Sequence, residues 1–208
     1  MTGDFKKLDL VLTTFTKLVD PVIGKILCSF VDKNRQDIVK YHFLTGGKRL
    51  RPALAIICCR LMGGRTKAVL PQAASLEILH NYTLIVDDII DNSLLRRGKM
   101  TVWAKFGRSF AECISWAFVA SAFQGAVLAE KPTKTSEIFA KTLKEVMNGE
   151  IMDILFEQSG RREEPYFVKN RHYDVTEKDY FSMAGKKTAS LFEACCEVGG
   201  VSAGASQK

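Results

Sequence analysis

Asp87, Asp88 and Asp91 stand at the end of an apolar run, and Arg96 and Arg97 follow within one short turn of chain, in the stretch LEILHNYTLIVDDIIDNSLLRRG, residues 76–98. At about 100° per residue, Asp87 and Asp91 share one face of a helix and Asp88 lies a quarter turn away. Like charges one turn apart repel, so an ordinary helix gains nothing from them. A hard divalent cation reverses that sign, because magnesium takes carboxylate oxygens and keeps positions for water and substrate phosphates. Arg96 and Arg97 are the residue type that clamps such phosphates. The plain alternative is a solvated helix end with a few salt bridges. Against it stand Leu76, Ile78, Leu79, Leu84, Ile85 and Val86, which mark a largely buried helix. Buried helices rarely end in three carboxylates that have no partner.

Three further constellations carry polar chemistry. GGKRLRP, residues 46–52, puts two glycines before cations at a helix start, where free N–H groups, Lys48 and Arg51 could meet an anion. A Gly-Gly-Lys turn without a ligand is the plainer reading. His80 lies two turns before Asp87 and so on its face; it reads either as a satisfied core group or as part of the same site. Lys186-Lys187-Thr188 is either a pair of exposed lysines or a phosphate contact through Lys187 and Thr188. Asp153, in NGEIMD, has no direction assigned by its pattern.

Helices must position all of these. Phe5, Leu8, Leu12, Phe15 and Leu18/Val19 recur at helical spacing from Asp4 onward, and Asp20-Pro21 reads as the start of a second helix to about Val31. A third covers Arg35 to Leu44, Thr45-Gly46-Gly47 breaks the pattern, and Pro52 opens another that Met62-Gly63-Gly64 closes. Pro71 reads as the start of the long helix that ends in the aspartates. An irregular connection to Gly107 precedes helices at about Ser109–Ala129 and Glu137–Glu157. The polar segment Ser159–Asp174 reads as a surface loop. Thr176 and Asp179 form an N-cap signal for a last helix that Gly199-Gly200 ends. With neither strand alternation nor a repeat, the fold class is all-α.

Composition bounds the rest. A chain of 208 residues with 47% hydrophobic content fits a single globular domain, residues 1–208. The net charge of +7 is dispersed apart from Lys48–Arg51 and Arg96/Arg97, and neither cluster has the interleaved aromatics of a single-strand nucleic-acid binder. Phosphate chemistry or solubility accounts for the charge; no nucleic-acid partner is expected. The six cysteines include Cys58/Cys59 and Cys195/Cys196, which lack zinc-type spacing and read as buried thiols of a reducing, cytoplasmic compartment. The N-terminus shows no secretory signal. Cys113–Ala129, broken by Ser115, Ser121 and Gln124, is too short and polar for a membrane span, so no integral membrane protein is expected.

GGKRLRP, LEILHNYTLIVDDIID, RRG and GKKTASLF, in this order and at these separations, resemble the trans-isoprenyl diphosphate synthases (polyprenyl synthetases) over essentially the whole chain. The resemblance implies long, mostly antiparallel helices around a deep central cavity, and a prenyltransferase that joins isopentenyl diphosphate to an allylic diphosphate (dimethylallyl, geranyl or farnesyl) with Mg2+. It implies Asp87 and Asp91 as metal ligands with Asp88 in support. Lys48, Arg51, His80 and Arg97 would hold isopentenyl diphosphate; Arg96, Lys187 and Thr188 would hold the allylic diphosphate. Asp87, Asp88, Asp91, Arg96 and Lys187 are thereby the catalytic set. A homodimer is implied as well, for which the 113–129 helix offers a surface.

The chain also departs from the family pattern. A second Asp-rich motif, expected well after Lys187-Thr188, is absent, so the chain reads as C-terminally incomplete, with little condensation activity expected and a last helix left without partners at GGVSAGASQK. Trp103 stands where a histidine is usual, and Ser115-Trp116 where Gly-Asp is usual; both substitutions are expected at the cavity wall. Tyr82, five before the first aspartate, and Thr83 resemble the chain-length positions of geranylgeranyl diphosphate synthases of the archaeal type, although ideal helix geometry turns Tyr82 aside and points Thr83 and Leu84 below the metals. A non-catalytic diphosphate-binding subunit that pairs with a complete synthase is the competing reading. A terpene cyclase fits less well, since it has no second diphosphate for GGKRLRP to hold.

Overall fold

The computed structural model describes residues 3–205, with side chains from residue 6 onward, so the sequence-based assignments to the Phe5 side chain and to residues 206–208 lie outside the described residues. The chain is all-α: α1 Gly3–Cys28, α2 Gln36–Leu44, α3 Leu50–Leu61, α4 Thr66–Ile90, α5 Val102–Phe106, α6 Arg108–Val127, α7 Pro132–Phe156, α8 Pro165–Asn170, α9 Glu177–Ala184 and α10 Ser190–Ser202. A hydrophobic core drawn from α1 to α7 and α10 surrounds α4, which packs on α1, α3, α6 and α10.

The centre of the fold is α4 because it is apolar nearly all round. Val69, Ala73, Ala74, Leu76 and Leu79 have no exposed surface, and Ile78 and Ile85 almost none. Such a helix needs neighbours on every side. It begins at Thr66 rather than at Pro71, because burying Val69 holds a turn ahead of the proline in register. Likewise α1 is one helix through Pro21, where the sequence suggested two. Phe15, Val19, Ile23 and Ile26/Leu27 form a single buried stripe across the proline. Their burial offsets the roughly 3 kcal/mol a mid-helix proline costs.

Other boundaries also shift. Pro132, at the first turn of α7, starts that helix before Glu137. The segment expected as loop, 159–174, contains α8, pinned by buried Phe167. Thr176 and Asp179 form a full capping box at α9, as their spacing suggests. After α9 the chain widens into a π-helical turn, Gly185–Ala189, before α10. Gly199-Gly200 does not end α10: a Cβ at Gly199 would stand 2.6 Å from the Ala55 carbonyl oxygen, so this glycine serves close packing on α3. Contrary to the sequence expectation, the last helix has partners, in α3, α4 and α7.

The irregular connection after α4 is a hairpin, in which β1 (Leu95–Arg96) pairs antiparallel with β2 (Lys99–Met100). Its two-residue turn, Arg97-Gly98, has φ of +54° and +73°, the pattern of a type I′ turn. Thr101 Oγ1 and Trp103 Nε1 both donate to the Ser93 carbonyl at 2.8 Å, tying the hairpin back to the end of α4. Trp103 is therefore a clip on the core and not a cavity wall. Ser115 hydrogen-bonds within α6 and Trp116 faces outward, so this pair also leaves the cavity untouched. Among the described residues, α6 is the one helix long and apolar enough to cross a membrane; 44% of the span is buried in the fold.

Candidate functional site

The hairpin turns Arg96 and Arg97 toward two different regions. Arg96 forks onto the aspartates, with Nε 2.8 Å from Asp88 Oδ1 and a terminal nitrogen 2.8 Å from Asp87 Oδ2. Arg97 instead donates to the Gly46 carbonyl, in the loop before α3. A side chain on Gly47 would collide with the Arg49 guanidinium, 2.5 Å away, which is why glycine stands there.

Around Gly47 lies a pocket of about 510 Å3 lined by Lys48, Arg49, Arg51, Glu77, His80 and Arg97. Arg49 is the residue that sequence reasoning passed over. It is 5% exposed, sits in the left-handed region at φ +50°, donates to Asp20 at 2.8 Å and to Glu77 at 3.3 Å, and stacks on Phe43. A buried ion-paired network of this kind fixes the backbone of the GGKR loop, so that Lys48 and Arg51 are aimed by Arg49. Burial raises the Glu77 carboxyl, against the pull of Arg49 and Arg51. Burial also pushes His80 down to about 3, helped by Arg51 and Arg97, so its imidazole is neutral near pH 7. Arg51 stacks on Phe192, and its buried Nε has no partner within the protein.

The aspartate end is built differently. Lys187, presented by the π turn, lies 3.1 Å from Asp87 Oδ1, 2.9 Å from Glu150 and 2.5 Å from Asp153. The turn can approach because of Gly149, where a Cβ would meet the Lys187 backbone nitrogen at 2.2 Å. Burial alone would lower the Lys187 ammonium, but hydrogen bonds to Asp153 and Glu150 and the charge of Asp87 leave it raised. Lys186 pairs with Glu145 at 3.0 Å, so neither lysine is a plain surface group. Asp91 pairs with Arg161, at 3.7 Å. Burial raises both Asp88 and Asp91, as do their acidic neighbours. Gly149, Glu150 and Arg161 escaped sequence reading: Gly149 and Glu150 lie inside a helical pattern with no second charge beside them, and Arg161, in the run RREE, reads as solvated loop; Asp153 was singled out without a direction.

Between these regions a small cavity of about 130 Å3 is lined by Arg51, His80, Asp87, Glu150, Lys187 and Thr188. Beside it an apolar groove of about 410 Å3 runs between α4 and α7, lined by Tyr82, Thr83, Val86, Ile90, Val146, Met147 and Ile154. Tyr82 thus lines the groove together with Thr83, contrary to ideal-helix geometry, while Leu84 lines the small cavity. Of the residues singled out from the sequence, Lys48, Arg51, His80 and Arg97 line the pocket around Gly47, and Asp87, Lys187 and Thr188 line the small cavity with Arg51 and His80.

Among the described residues, no three His, Cys, Asp or Glu side chains gather as a ready cage. Asp87 and Asp91 offer a two-carboxylate face, and Asp88 Oδ2 is buried without a partner. Hard oxygen donors in that number suit magnesium, which is commonly held by one or two carboxylates and completed by phosphate and water.

A profile of the family described as Polyprenyl synthetase matches residues 32–208. A geranylgeranyl diphosphate synthase of Saccharolobus solfataricus is 36% identical over 196 residues, covering 90% of this chain and 55% of its own. A short chain isoprenyl diphosphate synthase of Methanocaldococcus jannaschii is 35% identical over 194 residues, covering 91% of this chain and 55% of its own. The crystal structure of a geranylgeranyl pyrophosphate synthetase from Pyrococcus horikoshii superposes with a TM-score of 0.85 at 28% identity, covering 99% of this chain and 60% of that one. The chain thus spans little more than half the length of the curated relatives it matches.

Proposed function

We propose, from the premise that this chain belongs to the polyprenyl synthetase family, that it acts as a trans-prenyltransferase joining isopentenyl diphosphate to an allylic diphosphate (dimethylallyl, geranyl or farnesyl). One observation carries the reading: a cationic pocket and a carboxylate cluster share the small cavity of Arg51, His80, Asp87, Lys187 and Thr188, with an apolar groove beside it. Two substrates that each carry a diphosphate and a hydrocarbon need that combination.

Lys48, Arg51, His80 and Arg97 hold the diphosphate of isopentenyl diphosphate. Arg96, Lys187 and Thr188 hold the allylic diphosphate. Asp87 and Asp91, with Asp88 supporting through Arg96, would hold Mg2+, which when bound would offset the charge that grows on a departing diphosphate. Without ligands Arg96 and Lys187 neutralise Asp87 themselves. In use they move to phosphate oxygens, so binding exchanges one set of ion pairs for another. As the allylic C–O bond breaks, the diphosphate leaves with the bonding electrons. Val86, Ile90, Val146 and Met147 keep water from the allylic cation. The double bond of isopentenyl diphosphate attacks that cation, and loss of a proton completes the extension. Tyr82 and Thr83, in the groove wall, set a product of geranylgeranyl length.

The chain is read as one domain in the cytoplasm, associated as a homodimer through α6, where Phe110, Trp116 and Val127 are exposed. That same face favours the second reading, a non-catalytic diphosphate-binding subunit of a prenyl synthase. Labelled isopentenyl diphosphate, farnesyl diphosphate and magnesium, incubated with the chain and with its Asp87→Ala variant, separate the two. Extended product lost in the variant supports the transferase. Magnesium-dependent diphosphate binding without product supports the partner subunit, and absence of both refutes each.

A further inference from the structure

The two adjacent cysteine pairs lie on α3 and α10, which pack closely at Gly199, where a Cβ would stand 2.6 Å from Cys58 Cβ. Within each pair the two thiols have different surroundings. Cys59 is buried and directed at the Arg65 carbonyl; Cys195 is buried and donates to the Leu191 carbonyl at 3.0 Å. Cys58 and Cys196 instead face each other across the helix interface, since Cys196 lies one turn before the Gly199 that packs against Cys58. Cys196 is exposed and Cys58 half-buried, so one sulfur of this contact is open to solvent.

We propose that Cys58 and Cys196 are a paired modification site, which a low-molecular-weight disulfide converts into an intrachain bridge between α3 and α10. This inference is independent of the substrates proposed above. The thiolate of Cys196 attacks one sulfur of oxidised glutathione and expels a glutathione thiolate. Cys58, as thiolate, then attacks the Cys196 sulfur and expels the second. The two cysteines lose two protons and two electrons, and the oxidant becomes two molecules of glutathione. Burial and the Cys196 neighbour push the Cys58 thiol up to about 11, so the second step is the slow one and quickens about tenfold per pH unit below that value.

The bridge joins the helix that carries Arg51 to the one that carries its stacking partner Phe192 and follows directly on Lys187 and Thr188. Oxidation therefore fixes the spacing of the cationic pocket from the π turn.

The test treats the full 208-residue chain with oxidised glutathione at pH 7 and pH 9, followed by intact mass and peptide mapping. The expected product has lost two hydrogens, links the Cys58 and Cys196 peptides, forms faster at pH 9 and reverts with dithiothreitol. Cys59→Ser and Cys195→Ser keep the bridge. Cys58→Ser leaves glutathione on Cys196, and Cys196→Ser, at an exposed position, forms no bridge. Glutathione that persists on Cys196 of the unsubstituted chain at pH 9, a bridge through Cys28 or Cys113, or cross-linking only between chains would each overturn the proposal.

Discussion

The pocket around Gly47 and the aspartate end of α4 are neighbours, yet they treat charge in opposite ways. The first gathers four cations, Lys48, Arg49, Arg51 and Arg97, against two carboxylates, Glu77 and Asp20, both paired with Arg49, on a loop that the buried Arg49 makes rigid. The second gathers Asp87, Asp88, Glu150 and Asp153 and satisfies them with Arg96 and Lys187. An anion entering the first meets positive charge already in place. An anion entering the second must first displace carboxylates from its own cations. On the function proposed above, the first suits a bare diphosphate and the second a diphosphate that arrives with a metal.

The largest test of that contrast acts through packing. Gly149→Ala drives a methyl group into the Lys187 backbone. Overpacking of this kind costs about 3 kcal/mol. It should lower the denaturant midpoint and disorder the aspartate end, with diphosphate affinity at the Gly47 pocket retained.

A second test reads binding. Asp87→Asn should remove the magnesium-dependent part of diphosphate affinity, roughly 100-fold by titration calorimetry, and leave the magnesium-independent part. Arg51→Ala should do the reverse, weakening binding in the absence of metal by about 10- to 100-fold. Equal effects of both variants in both conditions would dissolve the distinction between the two regions.

The third test is pH. An unfolded histidine takes up its proton near pH 6.5, but His80 in the fold does so only near 3. Acidification from pH 7 to 5 therefore favours the unfolded chain by about 2 kcal/mol through this residue. The raised carboxylates Asp88, Asp91 and Glu150 work the other way, because the fold takes up their protons earlier than the unfolded chain does. His80→Asn should flatten the fall of stability between pH 7 and 5, and an unchanged slope would show that the imidazole is not held neutral.

The smallest effect belongs to the hairpin that serves both regions. Trp103→Phe removes the donor to Ser93 and should cost about 1 kcal/mol, weakening both kinds of diphosphate binding together.

Helix class and the central place of α4 could be read from the chain, as could the candidates Asp87, Arg96 and Lys187 that the fold brings together, because apolar periodicity and clustered charge are local signals. What could not be read depends on approach between distant segments. Gly149 and Lys187 are far apart in sequence, and only their packing reveals why one is a glycine and where the other's charge is spent. Arg49 sits among residues that were singled out, but its burial follows from Asp20 and Glu77 on two other helices. Pro21 and Pro71 misled because a local stop signal was overruled by a continuous buried stripe. The π turn left no composition signal at all, since GKKTA suits an ordinary helix equally well.

The two-residue turn at Arg97-Gly98 has a consequence for how this chain can vary. Arg96 in the strand and Arg97 in the turn are adjacent, so one peptide unit sets the distance between the groups they serve. The separation of the two Cα atoms, about 3.8 Å, is covalent geometry, and the two side chains reach out from it to opposite sides. The walls of the groove lie on α4 and α7, away from this turn, so they can diverge while the two arginines stay anchored at neighbouring positions. An insertion of a single residue in the turn would change both ends at once.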